Sequence, residues 1–354
     1  MLTDITQTIN LLKTLIQTKS LSKEEGRTAD LIQQYLSARS LGIQRIGNNI
    51  ICKTAEELFI DKPIIVLNSH HDTVKVSEGW TKDPFGADQS GDIIYGLGSN
   101  DAGASLVSLI HCFLHYSQDK NLPFQLVLIA SAEEEISGKN GLERVLKEID
   151  FTPDLAIVGE PTSCRMAVAE KGLIVIDGKA VGKAGHAANQ FGDNAIYTAM
   201  KDIQWIESYQ FEKQSPWLGP VKLTVTQIEA GYQHNVVPDT CSFVIDCRIN
   251  DQYSFQEITD LLSENCVSTL TPRSLRLKPS SISTAHPIVM KGTSLGIPTY
   301  GSNTMSDQVF FNCPSIKIGP GDTNRSHKAD EYISITEITR GINTYIDLLK
   351  GLKL

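Results

Sequence analysis

Residues 63–74 read PIIVLNSHHDTV, and this stretch decides the fold class. The apolar run at 63–67 is rich in β-branched side chains, which predicts a buried strand. His70, His71 and Asp72 follow that run. In open α/β sheets ligands bind beyond the carboxyl ends of the strands, and imidazole and carboxylate groups are zinc ligands. The stretch therefore predicts an α/β sheet with a metal site at one edge. A polar turn is the alternative that this motif alone leaves open.

Two further apolar strands are predicted, and each of them is also followed by acidic residues. Residues 124–130 precede the acidic triplet 133–135, and residues 154–158 precede Glu160. Three adjacent carboxylates repel one another, and a cation or a proton must relieve that repulsion. A solvated acidic loop is the alternative for the triplet. Because strand–helix–strand spacing makes these strands parallel neighbours, we expect the acidic groups at one edge of the sheet.

Two glycine-containing motifs point to other chemistry, but their context does not support it. GLGSNDAG at residues 96–103 resembles a dinucleotide-binding loop, yet Asp101 replaces the third glycine and would repel a pyrophosphate. GTSLG at residues 292–296 matches the G-x-S-x-G of serine hydrolases, yet a helix is predicted before it, where that motif needs a strand. Asp101 lies at a predicted strand-to-helix turn, where a metal ion suits it better.

Composition limits the class of protein. A chain of 354 residues exceeds one comfortable core, so two domains are expected. The net charge is -9 and no Lys/Arg cluster occurs, which argues against nucleic acid or anionic membranes as partners. The seven cysteines are scattered without a C-x-x-C motif, which is typical of free thiols in a reducing compartment. With no leader-like N-terminus and no apolar run of membrane-spanning length, we expect a cytoplasmic protein.

The sequence pattern changes after residue 165 and returns to the α/β type near residue 279. The β-α-β-β-α order between these points predicts a small α+β insert. The predicted domains are therefore residues 1–166 together with 279–354, and the insert 167–278. A glycine-rich loop of the insert carries His186, for which a surface histidine is the alternative. His327 is the late histidine that a metal site would still need.

Seven short motifs along the chain resemble those of one known family. In order they are SHHDTV, GSNDAG, AEEE, VGEPT, GKAGHA, NVVPD and SHKADEY. Together they resemble the dinuclear zinc amidohydrolases of the acetylornithine deacetylase, succinyl-diaminopimelate desuccinylase and glutamate carboxypeptidase family. The resemblance covers nearly the whole chain. It implies a zinc-peptidase-like α/β catalytic domain, whose mixed, largely parallel sheet lies between helices, and an inserted α+β lid and dimerisation domain.

The resemblance also implies a metal centre. Two divalent metal ions are expected, with zinc as the first choice and cobalt as an alternative. The implied ligands are His70, Asp101, Glu135, Glu160 and His327. In this family Asp101 would bridge both ions, often with a cis peptide bond after it. His70 would bind one ion, and Glu160 and His327 would bind the other.

Further roles follow from the same resemblance. Asp72 would orient His70. The family has A-D-E-E where this chain has A-E-E-E, which makes Glu134 the general base and leaves Glu133 in a supporting position. A shift of one residue within the triplet stays open. His71 fills a variable position and is not an expected ligand.

The insert would contribute to the active site as well. By resemblance, the protein would be a homodimer joined through the insert, and His186 would reach the partner subunit's active site as an oxyanion donor. Asn235 and Arg248 match positions that hold a substrate carboxylate in desuccinylase relatives. Polar residues at a sheet edge are the alternative for both of them.

The expected activity is metal-dependent hydrolysis of the amide of an N-acyl amino acid. N-acetylornithine, or an N-acetyl- or N-succinyl-citrulline, in arginine biosynthesis is the first expectation. Succinyl-diaminopimelate desuccinylation in lysine biosynthesis and a metal-dependent dipeptidase or carboxypeptidase are alternatives, and a non-catalytic, metal-stabilised relative is another. A succinyl group would need an additional cation in the pocket. The candidates are Lys171, Arg248, Lys317 and Arg325.

Overall fold

The computed structural model describes residues 4–39, 42–54, 58–59, 61–119, 121–189 and 192–354. The chain divides into two compact units. The first consists of Met1–Val168, Ile282–Tyr300 and Ser306–Leu354, and the second of Ala169–Ser281 and Gly301–Met305. The divisions after residues 168 and 281 lie close to the expected ones after 166 and 278. Residues 301–305 were expected with the catalytic domain and belong instead with the insert. The roles of the two domains stay predictions.

The first unit begins with two helices and five strands before helices and strands alternate, and the second contains two helices among its strands. The α-helices are α1 (Ile5–Ile16), α2 (Gly26–Ser37), α3 (Ala104–Tyr116), α4 (Leu142–Glu148), α5 (Ala195–Ser208), α6 (Phe255–Asn265), α7 (Pro287–Ser294) and α8 (Ile335–Leu349). The strands are β1 (Gly42–Ile46), β2 (Asn49–Lys53), β3 (Ile64–His70), β4 (Gln89–Ser90), β5 (Ile93–Tyr95), β6 (Gln125–Ser131), β7 (Leu155–Val158), β8 (Met166–Glu170), β9 (Gly172–Val181), β10 (Gly185–His186), β11 (Lys222–Ala230), β12 (Val236–Val237), β13 (Thr240–Ile249), β14 (Thr269–Pro272), β15 (Ser280–Ser281), β16 (Thr299–Ser302), β17 (Ser315–Lys317) and β18 (Tyr332–Ser334).

The main sheet of the first unit is built around β3. This strand pairs in parallel with β6 on one side and with β7 on the other. On the far side of β7, β17 adds another parallel pair, while β1, β2 and β8 contribute antiparallel pairs. The resulting order is β1-β2-β6-β3-β7-β17-β8. The predicted α/β class, with a mixed sheet that is parallel at its centre, is confirmed.

The central strand is buried on both faces, which explains why its sequence is apolar without alternation. Ile65 and Leu67 are fully buried in a core that includes residues of α1, α2, α3 and α8. Ile64 and Val66 point to the opposite face, where they join a core that includes residues of α4. Helices therefore cover both faces of the sheet. Its strand ends are held by dense packing on either side.

The second unit has its own core and its own sheet. The strand order is β11-β13-β9-β14, with antiparallel pairs throughout. Buried side chains of α5 and α6 share one core with β9 and β13. A separate two-stranded ribbon joins β10 to β12 and pairs His186 with Val236. This arrangement is the α+β unit that the sequence predicted.

Among the residues that the structure describes, no helix combines the length and the apolar composition that crossing a bilayer requires.

Candidate metal centre

The candidate site lies at the carboxyl edge of the three central parallel strands. His70 is the last residue of β3 and pairs with Ser131, the last residue of β6. The acidic triplet follows β6 directly and continues into a short 3-10 helix, Glu134–Ile136. Glu160 lies two residues beyond the end of β7. Parallel pairing therefore brings together polar groups that are far apart in sequence.

One cluster of possible ligands is centred on His70. Its Nε2 atom lies 3.3 Å from Oδ1 of Asp101 and 3.8 Å from Oε1 of Glu160. The ligand atoms of these three residues all lie within 4.8 Å of one another, a spacing that could hold one metal ion. Oε2 of Glu134 lies 3.9 Å from the same nitrogen. His70 itself is 1% exposed, so its ring orientation is fixed by the surrounding protein.

A second cluster shares Asp101 with the first. Nε2 of His327 lies 2.9 Å from Oε2 of Glu135 and 3.6 Å from Oδ2 of Asp101. These three residues form the other possible metal site. Asp101 thus turns Oδ1 toward His70 and Oδ2 toward His327, as a bridging carboxylate must. The peptide bond between Asp101 and Ala102 is cis, as the resemblance implied.

The pairing of ligands differs from the one that the resemblance implied. We expected Glu160 and His327 to bind the same ion, whereas these two residues fall in different candidate clusters. The structure groups Glu160 with His70 and groups His327 with Glu135. The physical reason is the strand order, because β3 lies between β6 and β7. The loop after β7 can therefore reach the histidine that ends β3.

The charges of this site fit a pair of divalent cations. Burial raises the pKa of Glu160 to about 8, and the charges of Asp101 and Glu135 add to that effect. Burial is also the largest cause that raises the pKa of Glu134 and of Glu135. Oε1 of Glu160 is buried and has no hydrogen-bond partner among the described residues. A buried, unpaired carboxylate oxygen among other carboxylates calls for a cation.

The pKa shifts of the two histidines also indicate a site for metal ions. Burial alone would lower the pKa of His70, but hydrogen bonds to Asp101 and Asp72 hold it well above its usual value. The hydrogen bond to Glu135 raises the pKa of His327 to about 9. Both rings would thus hold a proton where a metal ion could bind instead. Two imidazole and three carboxylate ligands suit zinc and similar divalent metals.

Asp72 connects the two halves of the site. Nδ1 of His70 lies 3.0 Å from the main-chain oxygen of Asp72 and 3.5 Å from Oδ1 of its carboxylate, so the carbonyl is the closer acceptor. The carboxylate accepts hydrogen bonds from the main-chain N–H groups of Glu134 and Glu135, at 3.0 and 3.2 Å, and from Ser22 Oγ at 2.7 Å. Asp72 therefore positions the acidic pair as well as the histidine.

The three adjacent glutamates point in different directions. Glu134 and Glu135 face the two histidines. The carboxylate of Glu133 instead accepts hydrogen bonds from Asn140, at 3.2 Å from its N–H and 2.9 Å from Nδ2. The backbone of Glu133 is in the left-handed region, with φ at 56°, which turns its side chain away from its neighbours. The chemical roles of the three carboxylates stay predictions.

His71 belongs to the protein interior and not to either metal cluster. It is 7% exposed. Its Nδ1 lies 2.9 Å from Oγ1 of Thr28, and its Nε2 lies 3.0 Å from the main-chain oxygen of Asn48. Burial lowers the pKa of His71 to about 4, so the ring is neutral near pH 7.

The predicted substrate residues all lie in the second unit. His186 is exposed, and its Nδ1 accepts a hydrogen bond from the N–H of Ala188 at 3.2 Å. Asn235 immediately precedes β12, the strand that pairs with His186. Its Oδ1 is buried without a hydrogen-bond partner among the described residues. Arg248 lies on β13, where it forms two hydrogen bonds with Asp246 at 2.8 and 3.0 Å.

Two buried carboxylates close to the site were not singled out from the sequence. Asp307 is 2% exposed, and Ser131 Oγ donates to it at 2.5 Å. Burial raises the pKa of Asp307 to about 7. Glu331 is also 2% exposed, and its carboxylate accepts hydrogen bonds from backbone N–H groups next to Asp101. Glu331 lies inside the SHKADEY motif, which could have signalled it, whereas no sequence pattern marks Asp307.

Fold and site together define a metal-dependent hydrolase with two divalent metal ions. Residues 66–351 match peptidase family M20/M25/M40, and the chain belongs to that family. The family resemblance seen in the sequence is therefore confirmed. The narrower expectation, that the chain most resembles the acetylornithine deacetylases, is not confirmed.

The similar proteins of known sequence include both desuccinylases and deacetylases. The chain is 23% identical over 373 aligned positions to succinyl-diaminopimelate desuccinylase 2 of Ruegeria sp. (strain TM1040), covering 97% of this chain and 94% of that protein. It is 24% identical to the acetylornithine deacetylase of Proteus mirabilis (strain HI4320), covering 93% of this chain and 92% of that protein. Because the identities are nearly equal, these relatives do not separate the two substrates.

Solved structures confirm the fold. An M20 family metallo-carboxypeptidase from Sulfolobus solfataricus, Sso-CP2, superposes with a TM-score of 0.78 at 16% identity, covering 97% of this chain and 98% of that chain. A dinuclear metal binding peptidase of the M20 family from Bacillus subtilis gives a TM-score of 0.74 at 15% identity, covering 98% and 97%.

Removal of the metal ions should destabilise the protein. An ion that binds only the native state at a free concentration of 100 times Kd stabilises it by about 2.7 kcal/mol. We expect a chelator to lower Tm in a calorimetric scan and zinc to restore it. The comparison is Asp101→Asn, which alters the carboxylate shared by both clusters and should respond much less to the chelator. An equal response of both proteins would contradict the position of Asp101 at the centre of the site.

Proposed function

We propose that this protein hydrolyses the amide bond of an N-acyl amino acid, with N-acetylornithine or an N-acetylated or N-succinylated citrulline as substrate. The observation that carries the proposal is the pair of candidate ligand clusters that share Asp101, with the carboxylate of Glu134, whose side chain is 12% exposed, beside them. Amide hydrolysis needs an activated water, a polarised carbonyl and a proton donor for the leaving amine. These groups supply all three.

We assign the metal ligands from the two clusters. His70 and Glu160 would hold one ion, Glu135 and His327 would hold the other, and Asp101 would bridge them. When bound, the two ions would polarise the acyl carbonyl and lower the pKa of a water molecule toward neutrality. Asp72 keeps the ring of His70 and the Glu134–Glu135 backbone in fixed positions. The ligands are therefore organised before substrate arrives.

Glu134 would act as the general base. Its carboxylate is not a member of either three-residue cluster, so it stays available for proton transfer. It would take a proton from the attacking water and later give that proton to the leaving amine. Burial favours the neutral form of this carboxyl group and so helps it to hold the proton between the two steps.

His186 would stabilise the oxyanion that develops on the acyl group. The N–H of Ala188 points at Nδ1, so that nitrogen acts as an acceptor and the neutral ring holds its proton on Nε2. An exposed Nε2–H group is a suitable hydrogen-bond donor. We propose, following the family resemblance, that it acts in the partner subunit of a homodimer. Strand β11 is an edge of the second unit's sheet, and Ile228 on it is 57% exposed. Such an edge is suited to pairing.

Among the proposed substrates we favour the N-acetyl compounds over the N-succinyl ones, because a succinyl group would need a further cation. Arg248 is paired with Asp246, and Arg325 forms an ion pair with Glu337 at 2.8 Å. Nζ of Lys171 donates to the main-chain oxygen of Pro220 at 3.0 Å. Arg248, Arg325 and Lys171 thus already have partners within their own units. This supports an acyl group that carries no second carboxylate. Succinyl-diaminopimelate stays the second candidate, because a desuccinylase is among the similar proteins.

Replacement of the proposed base should separate chemistry from metal binding. We expect Glu134→Gln to bind two metal ions and to lose turnover by about 10²–10⁴-fold, the usual contribution of a general acid–base group. Glu133→Gln is the matched control, since that side chain faces Asn140. It should keep most of the activity. If Glu133→Gln lost turnover and Glu134→Gln kept it, the general base would be Glu133.

A substrate panel tests the proposed specificity. Chelated protein would be reloaded with zinc or cobalt and assayed on N-acetylornithine, N-acetylcitrulline, their N-succinyl counterparts, succinyl-diaminopimelate and a dipeptide. We expect metal-dependent turnover of one ornithine or citrulline derivative. Turnover of the diaminopimelate compound alone would keep the mechanism and replace the substrate. No turnover with two metals bound would favour a non-catalytic relative.

Mixed dimers test whether His186 acts across subunits. His186→Ala and Glu134→Gln proteins would each have little activity alone. In a mixed dimer, one active site would combine an intact Glu134 with an intact His186 from the other subunit. We expect that purified mixed dimer to show about half of the wild-type turnover, because one of its two sites is complete. A mixed dimer as inactive as its parents would show that His186 acts within its own subunit, whereas an active His186→Ala protein would show that His186 has no role in turnover.

A further inference from the structure

His327 lies on an irregular segment of the first unit. It falls between a short 3-10 helix, Thr323–Arg325, and strand β18. Its side chain is 55% exposed, and its backbone is in the left-handed region, with φ at 60°. Neither regular structure nor deep burial fixes its position. Some other set of contacts must hold it beside Asp101.

Glu331 provides the first of these contacts. The carboxylate accepts three hydrogen bonds from the backbone of the turn that ends at Asp101: from the N–H groups of Gly98 at 3.0 Å, Asn100 at 2.8 Å and Asp101 at 2.9 Å. Its main-chain oxygen accepts a fourth from Gly96 at 2.9 Å. A residue four positions after His327 thus binds most of the backbone that presents Asp101.

Asn100 provides the second contact, because its side chain reaches from the turn that ends at Asp101 to the segment before His327. Its side chain is fully buried. Oδ1 accepts a hydrogen bond from the N–H of Asp322 at 2.9 Å, and Nδ2 donates to the main-chain oxygen of Asp322 at 3.1 Å. Nδ2 also lies 3.4 Å from Oγ of Ser326, the residue before His327. The neighbour of Asp101 in sequence therefore holds the segment that leads into His327.

We propose that Asn100 and Glu331 are positioning residues that form a reciprocal clasp and set the separation of Asp101 and His327. The side chain of Asn100 binds the backbone of the segment that leads into His327. The side chain of Glu331 binds the backbone of the turn that ends at Asp101. The clasp would fix the second ligand cluster, Asp101, Glu135 and His327, before any ion binds. The proposal rests on the ligand set proposed above. Contacts of this kind around metal ligands typically change metal affinity by about 10–100-fold when removed.

The clasp should affect the two ions unequally. The first ion also has His70 and Glu160, which are held by the ends of β3 and β7. The second ion depends on His327, whose segment the clasp holds. Loss of the clasp should therefore weaken one ion much more than the other. A role in general stability would instead weaken both ions to a similar degree.

The test is a zinc titration of chelated protein by calorimetry, with a competing chelator of known affinity. Glu331→Gln keeps the shape of the side chain but replaces one acceptor oxygen by a donor that faces N–H groups. Asn100→Asp keeps the Oδ1 acceptor and removes the Nδ2 donor. It provides a second test of the clasp if Glu331→Gln does not fold. We expect both to bind two ions, one of them roughly 10–100-fold more weakly than in the wild type.

Asp330→Asn is the matched control. It makes the same carboxylate-to-amide change one residue away, in a side chain that binds Thr81 and Lys82. Its zinc affinities should equal those of the wild type. Wild-type affinities for both ions in Glu331→Gln and Asn100→Asp, or an equal loss for both ions, would overturn the clasp.

His327→Ala distinguishes a failure of the clasp from a failure of the proposed ligand set. It should bind only one ion, and adding Glu331→Gln to it should weaken that remaining ion less than Glu331→Gln weakens the second ion of the wild type. If His327→Ala still bound two ions with wild-type affinities, the ligand set itself would be wrong. If it lost one ion while both clasp variants kept normal affinities, the ligand set would stand and the clasp would be refuted.

Discussion

Repulsion among closely spaced carboxylates is the constraint that shapes this structure. Asp101, Glu134, Glu135 and Glu160 lie around two histidines at the end of a dense parallel sheet. Like charges interact strongly in a medium of low dielectric constant, and burial removes the water that would screen them. Cations or protons that neutralise the group relieve this repulsion. Metal binding at such a site would therefore add to the stability of the fold.

The surrounding protein prevents these groups from relaxing apart. The sheet is covered on both faces, so the strand ends cannot shift without disturbing the core. Close backbone packing adds to this rigidity near Glu160: a Cβ atom at Gly159 would lie 2.7 Å from Leu109 Cδ1, and one at Gly319 would lie 2.6 Å from the main-chain oxygen of Glu160. Non-glycine residues in the left-handed region occur at Glu133 and His327, within the site. Strain of this kind persists where the surroundings hold it in place.

Carboxylates that bind backbone N–H groups recur throughout the site. Asp72 holds the Glu134–Glu135 backbone, and Glu331 holds the turn that presents Asp101. In each case a buried acceptor fixes the main chain of a residue that faces the centre, so ligand positions are set through the backbone and not only through side-chain packing. The candidate groups are divided between the two units. Both candidate metal clusters lie in the first unit, whereas His186, Asn235 and Arg248 lie in the second. This division suits a family whose members share a metal centre and differ in substrate.

The sequence by itself determined the fold class and the residues that gather at the sheet edge. Its apolar, β-branched runs specify buried strands, and the polar groups at their ends are local features that a motif comparison can recognise. Which candidate ligands cluster together follows from the tertiary structure, because Glu160 approaches His70 through the placement of β3 between β6 and β7. The same holds for Asp307 and for residues 301–305, which no local pattern marks. Strand order and contacts over hundreds of residues arise from packing of the whole chain, and short-range sequence patterns contain no information about them.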